Sequence, residues 1–300
     1  MPAAEVRICV DLVRRLLSAQ HPDLAELPIE LLANGWDNLS YRLGDGLVIR
    51  LPRRALAAGL VRHEQRWLPV LAPRLPLPVP APVRVGLPSA DYPWPWSIVP
   101  FLPGRPAAVQ PPADLRDAAV SLGRFLGALH SPAAPDAPVN PYRGVALVAR
   151  SEAFTARLDQ LGGAIDRAAA MTVWEAAVAA PGSERAPVWL HGDLHPANIL
   201  VHDDRVSAVI DFGDITSGDP AGDLSVAWMI LPEQYHVAFR DSYGDANGHP
   251  VAAATWTRAR GWALGLALAI LANSADNQLM ADIGQRTVAA VLQISRGAQA

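Results

Sequence analysis

The chain has no lysine, one cysteine and no apolar run long enough for a bilayer. All 25 of its cationic side chains are arginine, so any cation held against phosphate or carboxylate is a planar guanidinium fork rather than a compact ammonium. With abundant alanine and proline, this bias fits the codon usage of a GC-rich bacterial genome. The lone Cys9 excludes a disulfide framework and a cysteine-built zinc site, and a reducing, cytoplasmic location is expected. The longest apolar stretch, WALGLALAILA from Trp262, has about half the length a membrane helix needs and is expected to be a core helix. The first residues, MPAAEVRICVDLVRRLL, interleave charges with apolar positions as an amphipathic helix does and a signal sequence does not. A net charge of -4 without any basic block offers no face for a nucleic-acid backbone. Neither a membrane nor a nucleic acid is expected as a partner.

What is present is a chain of 300 residues, 51% hydrophobic, enough for one large domain or two smaller ones. Val6, Cys9, Val10, Val13, Leu16 and Leu17 recur at helical spacing. From Leu31 to Pro52, short apolar runs are broken by Asn-Gly, Asp-Asn and Gly-Asp-Gly, the pattern of antiparallel strands joined by tight turns. Residues 60–72 return to helical spacing with an interruption expected at Pro69, and PRLPLPVPAP predicts an extended path. WSIVPFLPG is the next strand candidate. Beyond Gly104 the spacing is helical, over 114–130, 151–180 and from 222 to the end, with breaks at Pro232 and GDANGHP. The expected organisation is α+β, with a small antiparallel-sheet lobe over residues 1–101 and a larger, mainly helical lobe over 102–300.

The stretch WLHGDLHPANILVHDDRVSAVIDFGD interrupts that helical part with β-branched runs that end in polar groups. Strands ending so deliver carboxylates to a cleft, because an unpaired buried carboxylate is costly. Asn198, five residues after Asp193, and Asp211, eighteen after it, are oxygen ligands suited to magnesium, leaving Asp193 to accept a proton from an incoming hydroxyl. That is the equipment of phosphoryl transfer.

HGDLHPAN followed by IDFGD resembles the catalytic and metal-binding segments of the aminoglycoside phosphotransferase family, relatives of the protein kinases. The resemblance implies a bilobal protein-kinase-like fold and an ATP- or GTP-dependent small-molecule kinase. It implies Asp193 as base or orienter, Asn198 and Asp211 as Mg2+ ligands, and His191 as a buttress of the loop. His195 either touches the transferred phosphate or caps the loop. Asp219 and Asp223 also match the family pattern, with Asp223 expected to cap a helix or brace the loop. In the first lobe, NGWDNLSYRL resembles the nucleotide-covering loop, with Asn38 and Ser40 near the phosphates. Arg50 stands where kinases carry a lysine, and Glu64 is its pairing acid. Val99, Pro100 and Leu102 resemble the hinge, where the Pro100 carbonyl and the Leu102 N–H would meet the base.

The acceptor implied first is an aminoglycoside, for which Glu233, Asp241, Asp245, Asp276 and Asp282 offer charge. The alternative is a macrolide 2'-phosphotransferase or other metabolite kinase, with Trp228, Met229, Tyr235, Trp256 and Trp262 as an apolar lining. Two readings of other classes stand beside these. One is a zinc hydrolase built on His191, Asp193 and His195. The other is a nucleotide-binding pseudokinase disabled at Arg50.

Overall fold

An alternating pattern in the first hundred residues folds as a five-stranded antiparallel sheet, in the order β1-β2-β3-β5-β4. The computed structural model describes residues 3–183 and 185–297. Its strands here are β1 (Ile29–Asn34), β2 (Asn38–Leu43), β3 (Leu47–Pro52), β4 (Arg84–Gly86) and β5 (Trp96–Pro100), with helices α1 (Val10–Gln20) and α2 (Ala55–Leu71). The period of two along β3 sends Ile49 and Leu51 into a core with Leu12, Leu16 and Leu17 of α1 and with Trp96 and Ile98 of β5. It therefore turns Arg50 to the opposite face, where Glu64 of α2 meets it.

Three local expectations change here. Helix α1 starts at Val10, not Val6: Cys9 is extended (φ -138, ψ 168), and ahead of it the Glu5 N–H donates to the Arg53 carbonyl. Helix α2 begins five residues early and continues through Pro69. A proline near the end of a helix removes a single backbone bond there, which the rest of the helix tolerates. The proline-rich segment opens with a 3-10 turn at Ala72–Arg74 before losing regular structure.

The chain forms two compact units. One takes in the chain up to Pro73, Pro78–Pro103 and the four residues Ile210–Gly213; the other takes in Arg74–Leu77, Gly104–Val209 and the chain from Asp214 on. The second unit is mainly helical: α3 (Leu115–Leu129), α4 (Ser151–Leu161), α5 (Arg167–Ala179), the short α6 (Ala221–Leu224) and α7 (Val226–Ile230), then α8 (His236–Asn247), α9 (Ala253–Ala272) and α10 (Gln278–Gly297). Asp114 caps α3 by accepting the Arg116 and Asp117 N–H groups. The helix expected over 151–180 is two, because Gly162 adopts φ +54 and Asp166 caps a fresh start by accepting the Ala169 N–H. A further break after Ala272 separates α9 from α10, where the Asn277 side chain accepts the Met280 N–H.

Helix α9 carries the apolar run, with Trp262, Ala263, Leu264, Ala267 and Leu268 buried. No described helix is long and apolar enough to cross a membrane. Against these helices lie two small sheets, β10-β7 and β6-β8-β9, built from β6 (Arg105–Pro106), β7 (Val188–Leu190), β8 (Ile199–His202), β9 (Arg205–Val209) and β10 (Thr216–Gly218). Asp203 and Asp204, both at positive φ, make the tight turn between β8 and β9.

Candidate active site

Strand β7 ends at Leu190 and the chain turns at Gly192, whose φ is +87. A Cβ there would lie 2.2 Å from the Asp214 carbonyl oxygen, so only glycine fits. The turn is held by Asp223 of α6, 1% exposed. Its Oδ2 accepts the His191 N–H at 2.7 Å and its Oδ1 the Gly192 N–H at 2.9 Å. His130 Nε2 lies 3.2 Å from the same Oδ2, and His130 Nδ1 lies 3.1 Å from the Tyr243 hydroxyl. An ionised carboxylate only accepts, so His130 donates from Nε2, while its Nδ1 shares a hydrogen bond with the tyrosine hydroxyl. Burial alone would raise the Asp223 pKa; the His130 and His191 rings and the Gly192 N–H outweigh it and hold the group below the ordinary aspartate value. Burial pushes the Tyr243 hydroxyl up, which keeps it a donor.

On this loop Asp193 is partly exposed, and both of its oxygens have neighbours. Oδ1 accepts from Arg143 Nη2 at 2.6 Å, and Oδ2 is 3.4 Å from His195 Nε2. Burial works against the Asp193 charge, but Arg143, His195 and His191 hold its pKa well below the usual carboxylate range. His195 caps the next turn, its Nδ1 accepting the Ala197 N–H. His191 Nδ1 accepts the Asp193 N–H at 3.2 Å. Asn198 donates its amide to the Asp193 carbonyl at 3.0 Å, which orients the side chain and leaves its oxygen for other use.

In the first unit, Arg50 Nη1 donates to Glu64 Oε1 at 2.7 Å and Nη2 to Asp211 Oδ1 at 3.2 Å. Arg50 and Glu64 are 11% and 3% exposed, whereas Asp211 is 55% exposed. Burial works against the Arg50 charge, but Glu64 and Asp211 together raise its pKa above the ordinary arginine value. Asp211 sits at φ +63, a left-handed backbone that costs a non-glycine residue about 1–2 kcal/mol. Its carboxylate is a hard oxygen donor, as is the Asn198 amide oxygen, and both suit magnesium.

The sequence-derived residues thus fall into groups. Arg50, Glu64 and Asp211 meet directly, with Ser40 opposite Arg50 in the β2-β3 register. Asn38 lies further along the same strand pair, opposite Pro52, and its Oδ1 is buried without a partner. Val99 and Pro100 end β5, paired with Val48 and Leu47, and Leu102 follows. Asp193, His195 and Asn198 share one loop. His191, Asp193 and His195 do not converge: among the described residues no three His, Cys, Asp or Glu side chains gather as metal ligands.

Asp219 is bound by the buried Arg258 through Nε at 2.6 Å and Nη2 at 3.0 Å. Glu233, Asp241, Asp245 and Asp276 are exposed, and Asp282 accepts the Gln278 amide. Trp228 and Trp256 pack on each other with ring centroids 4.3 Å apart, and His236 joins them as core.

Sequence reasoning missed Arg143, Asn140 and His130. Asn140 Nδ2 donates to Asp214 at 2.7 Å, and its N–H goes to the Thr216 hydroxyl. The Asn-Pro and Arg-Gly of NPYRG mark a turn, but no local pattern ties it to a loop fifty residues on.

A family model described as "Phosphotransferase enzyme family" matches residues 28–262. Among solved structures, the GDP complex of aminoglycoside 2'-phosphotransferase-IIIa superposes with TM-score 0.68 at 18% identity, covering 94% of this chain and 98% of that one. Macrolide 2'-phosphotransferase MphH from Brachybacterium faecium, as apoenzyme, gives 0.61 at 24%, with 94% and 98% covered. ADP-bound aminoglycoside phosphotransferase APH(2'')-Ib gives 0.57 at 17%, with 95% and 99% covered. At these identities the likeness is one of fold. No curated protein matches the sequence.

Proposed function

The chain belongs to the phosphotransferase enzyme family, and on that premise we propose that it moves the γ-phosphoryl group of ATP or GTP onto a hydroxyl of a small molecule. The observation that carries the reading is Asp193, an ionised, partly exposed carboxylate on a loop whose backbone is fixed by a buried acid. The acceptor oxygen attacks the γ-phosphorus and the bond from that phosphorus to the β,γ-bridging oxygen breaks. The nucleoside diphosphate leaves with the electron pair, and the hydroxyl proton passes toward Asp193 and on to solvent. A carboxylate held so acidic is a weak base. Its work is to align the hydroxyl, which suits a loose transition state with little nucleophile activation.

Arg50, tied to Glu64, presents a guanidinium fixed for phosphate oxygens, and Ser40 stands opposite it in register. Asn38 joins the phosphate-facing set, and the Val99, Pro100 and Leu102 backbone is the proposed base-binding edge. His195, which caps the turn through Nδ1, is the proposed neighbour of the transferred phosphate through its other ring nitrogen. Asn198 and Asp211 are the residues that would hold magnesium, which when bound neutralises charge on the phosphates. Relatives whose structures hold GDP or ADP support a nucleotide co-substrate.

Acceptor-dependent nucleotide consumption, measured with ATP and GTP separately across aminoglycosides, macrolides and small hydroxylated metabolites, tests the reading. Asp193→Asn is expected to lower turnover by about 10²–10⁴-fold while Mg-nucleotide binding persists. Full turnover in that variant would overturn the assignment. Nucleotide binding without turnover on any acceptor would favour the pseudokinase.

A further inference from the structure

Close to Asp193, the helical unit contains a recess walled by aromatic rings and ringed by Arg143, Arg150 and Arg157. Phe154 and Trp174 stack with ring centroids 4.0 Å apart, and Trp262 completes the wall. Apart from the Tyr142 hydroxyl, the polar side chains lining it can only donate. The Trp174 N–H is satisfied by the Ser151 hydroxyl at 3.2 Å. The Trp262 N–H is not satisfied, although that residue is only 4% exposed.

Arg143 reaches carboxylates, Asp193 at 2.6 Å and Asp214 at 3.9 Å. Arg150 has only the Tyr142 ring, 5.2 Å away, and neither it nor Arg157 is paired with a carboxylate among the described residues. Burial lowers the Arg157 pKa, and repulsion from Arg150 and Arg143 lowers it further. The recess therefore carries positive charge that no carboxylate among the described residues compensates at Arg150 and Arg157. Both guanidinium groups are half-buried, so they are open to solvent and available to an anionic group that enters from it.

We propose that this recess is an acceptor subsite for an anionic group, and that it disfavours polycationic acceptors. Arg143 joins the subsite to the reaction centre, because the guanidinium that lines the recess is the one that bonds Asp193 Oδ1. An acceptor anchored by its anion on Arg150 and Arg157 places its hydroxyl on the Asp193 side. That the bound molecule is the phosphate acceptor rests on the phosphotransferase reading, but the anion site itself does not.

The test uses the whole chain and a charge series of probes: 3-phenyllactate, its neutral amide, phenyl phosphate and kanamycin. Binding is followed by calorimetry and tryptophan fluorescence, with Mg-ATP binding measured separately. The expected result is that 3-phenyllactate or phenyl phosphate binds about tenfold or more tighter than the amide, with kanamycin weakest; the tighter of the two anions identifies the group. Arg150→Gln and Arg157→Gln should remove the advantage while Mg-ATP binding is kept. Arg150→Lys should retain part of it, and serves if a Gln variant fails to fold. Equal binding of acid and amide, tighter binding of kanamycin, absence of anion binding, or Gln variants that bind the anion unchanged would each overturn the proposal. Failure of Mg-ATP to bind would instead count against the phosphotransferase reading, leaving the anion site judged on the probes alone.

Discussion

Arg50 is the residue at which this chain departs most from the kinase pattern, and its setting shows what the departure requires. A guanidinium forked between Glu64 at 2.7 Å and Asp211 at 3.2 Å is fixed at both nitrogens, where a lysine would place one rotatable ammonium. The Arg50–Glu64 contact is almost fully buried, so removing one partner strands the other in a low-dielectric site. Arg50→Met is therefore expected to cost about 3–5 kcal/mol. Arg50→Met with Glu64→Met should regain much of that loss, since burying the pair also costs desolvation. Urea unfolding of the two single variants and the double variant measures the cycle. Strict additivity of the single effects would show that the pair is not coupled.

At the scale of elements, the HGDLHPAN loop is positioned by a short helix from elsewhere in the chain. Asp223 of α6 takes the two backbone N–H groups at the start of the loop and the His130 ring of α3's C-terminal end. Its pKa is depressed in the fold, so its contribution is present above the ordinary aspartate pKa of about 4. The contribution is lost as pH falls through the folded value. Asp223→Asn should cost about 1–3 kcal/mol at neutral pH, because its amide nitrogen cannot accept a loop N–H. It should also flatten the acid limb of the stability curve. Denaturant titrations at neutral and acid pH read both effects. An unchanged acid limb in the variant would mean that Asp223 is not ionised in the native loop.

For the molecule as a whole, a nucleotide site makes stability depend on ligand concentration. Mg-ATP or Mg-GTP at about 100 times its dissociation constant should stabilise the native state by about 2.7 kcal/mol, seen as a rise in thermal midpoint. Chelating the metal should reduce the rise, since the phosphate charge then goes unneutralised. No shift with either nucleotide in the presence of magnesium would contradict the proposed site.

The same scale shows how far local reading carries. The hairpins of β1, β2 and β3, helix α3 and the core helix α9 follow from turn residues, a capping aspartate and apolar periodicity, all of which act over a few residues. The residues of the HGDLHPAN and IDFGD motifs stand out for a similar reason, since each motif is contiguous in the chain. The start of α1 at Val10 and the passage of α2 through Pro69 escaped because they hinge on which partner a backbone group finds, and periodicity does not register that. Arg143 on Asp193, His130 under Asp223 and the recess ringed by Arg143, Arg150 and Arg157 arise only on folding. Their partners lie tens of residues apart, and packing of helices and loops, not any spacing along the chain, brings those charges together. Chemistry confined to one loop is therefore written locally, whereas the electrostatic surroundings that tune it are a property of the folded chain.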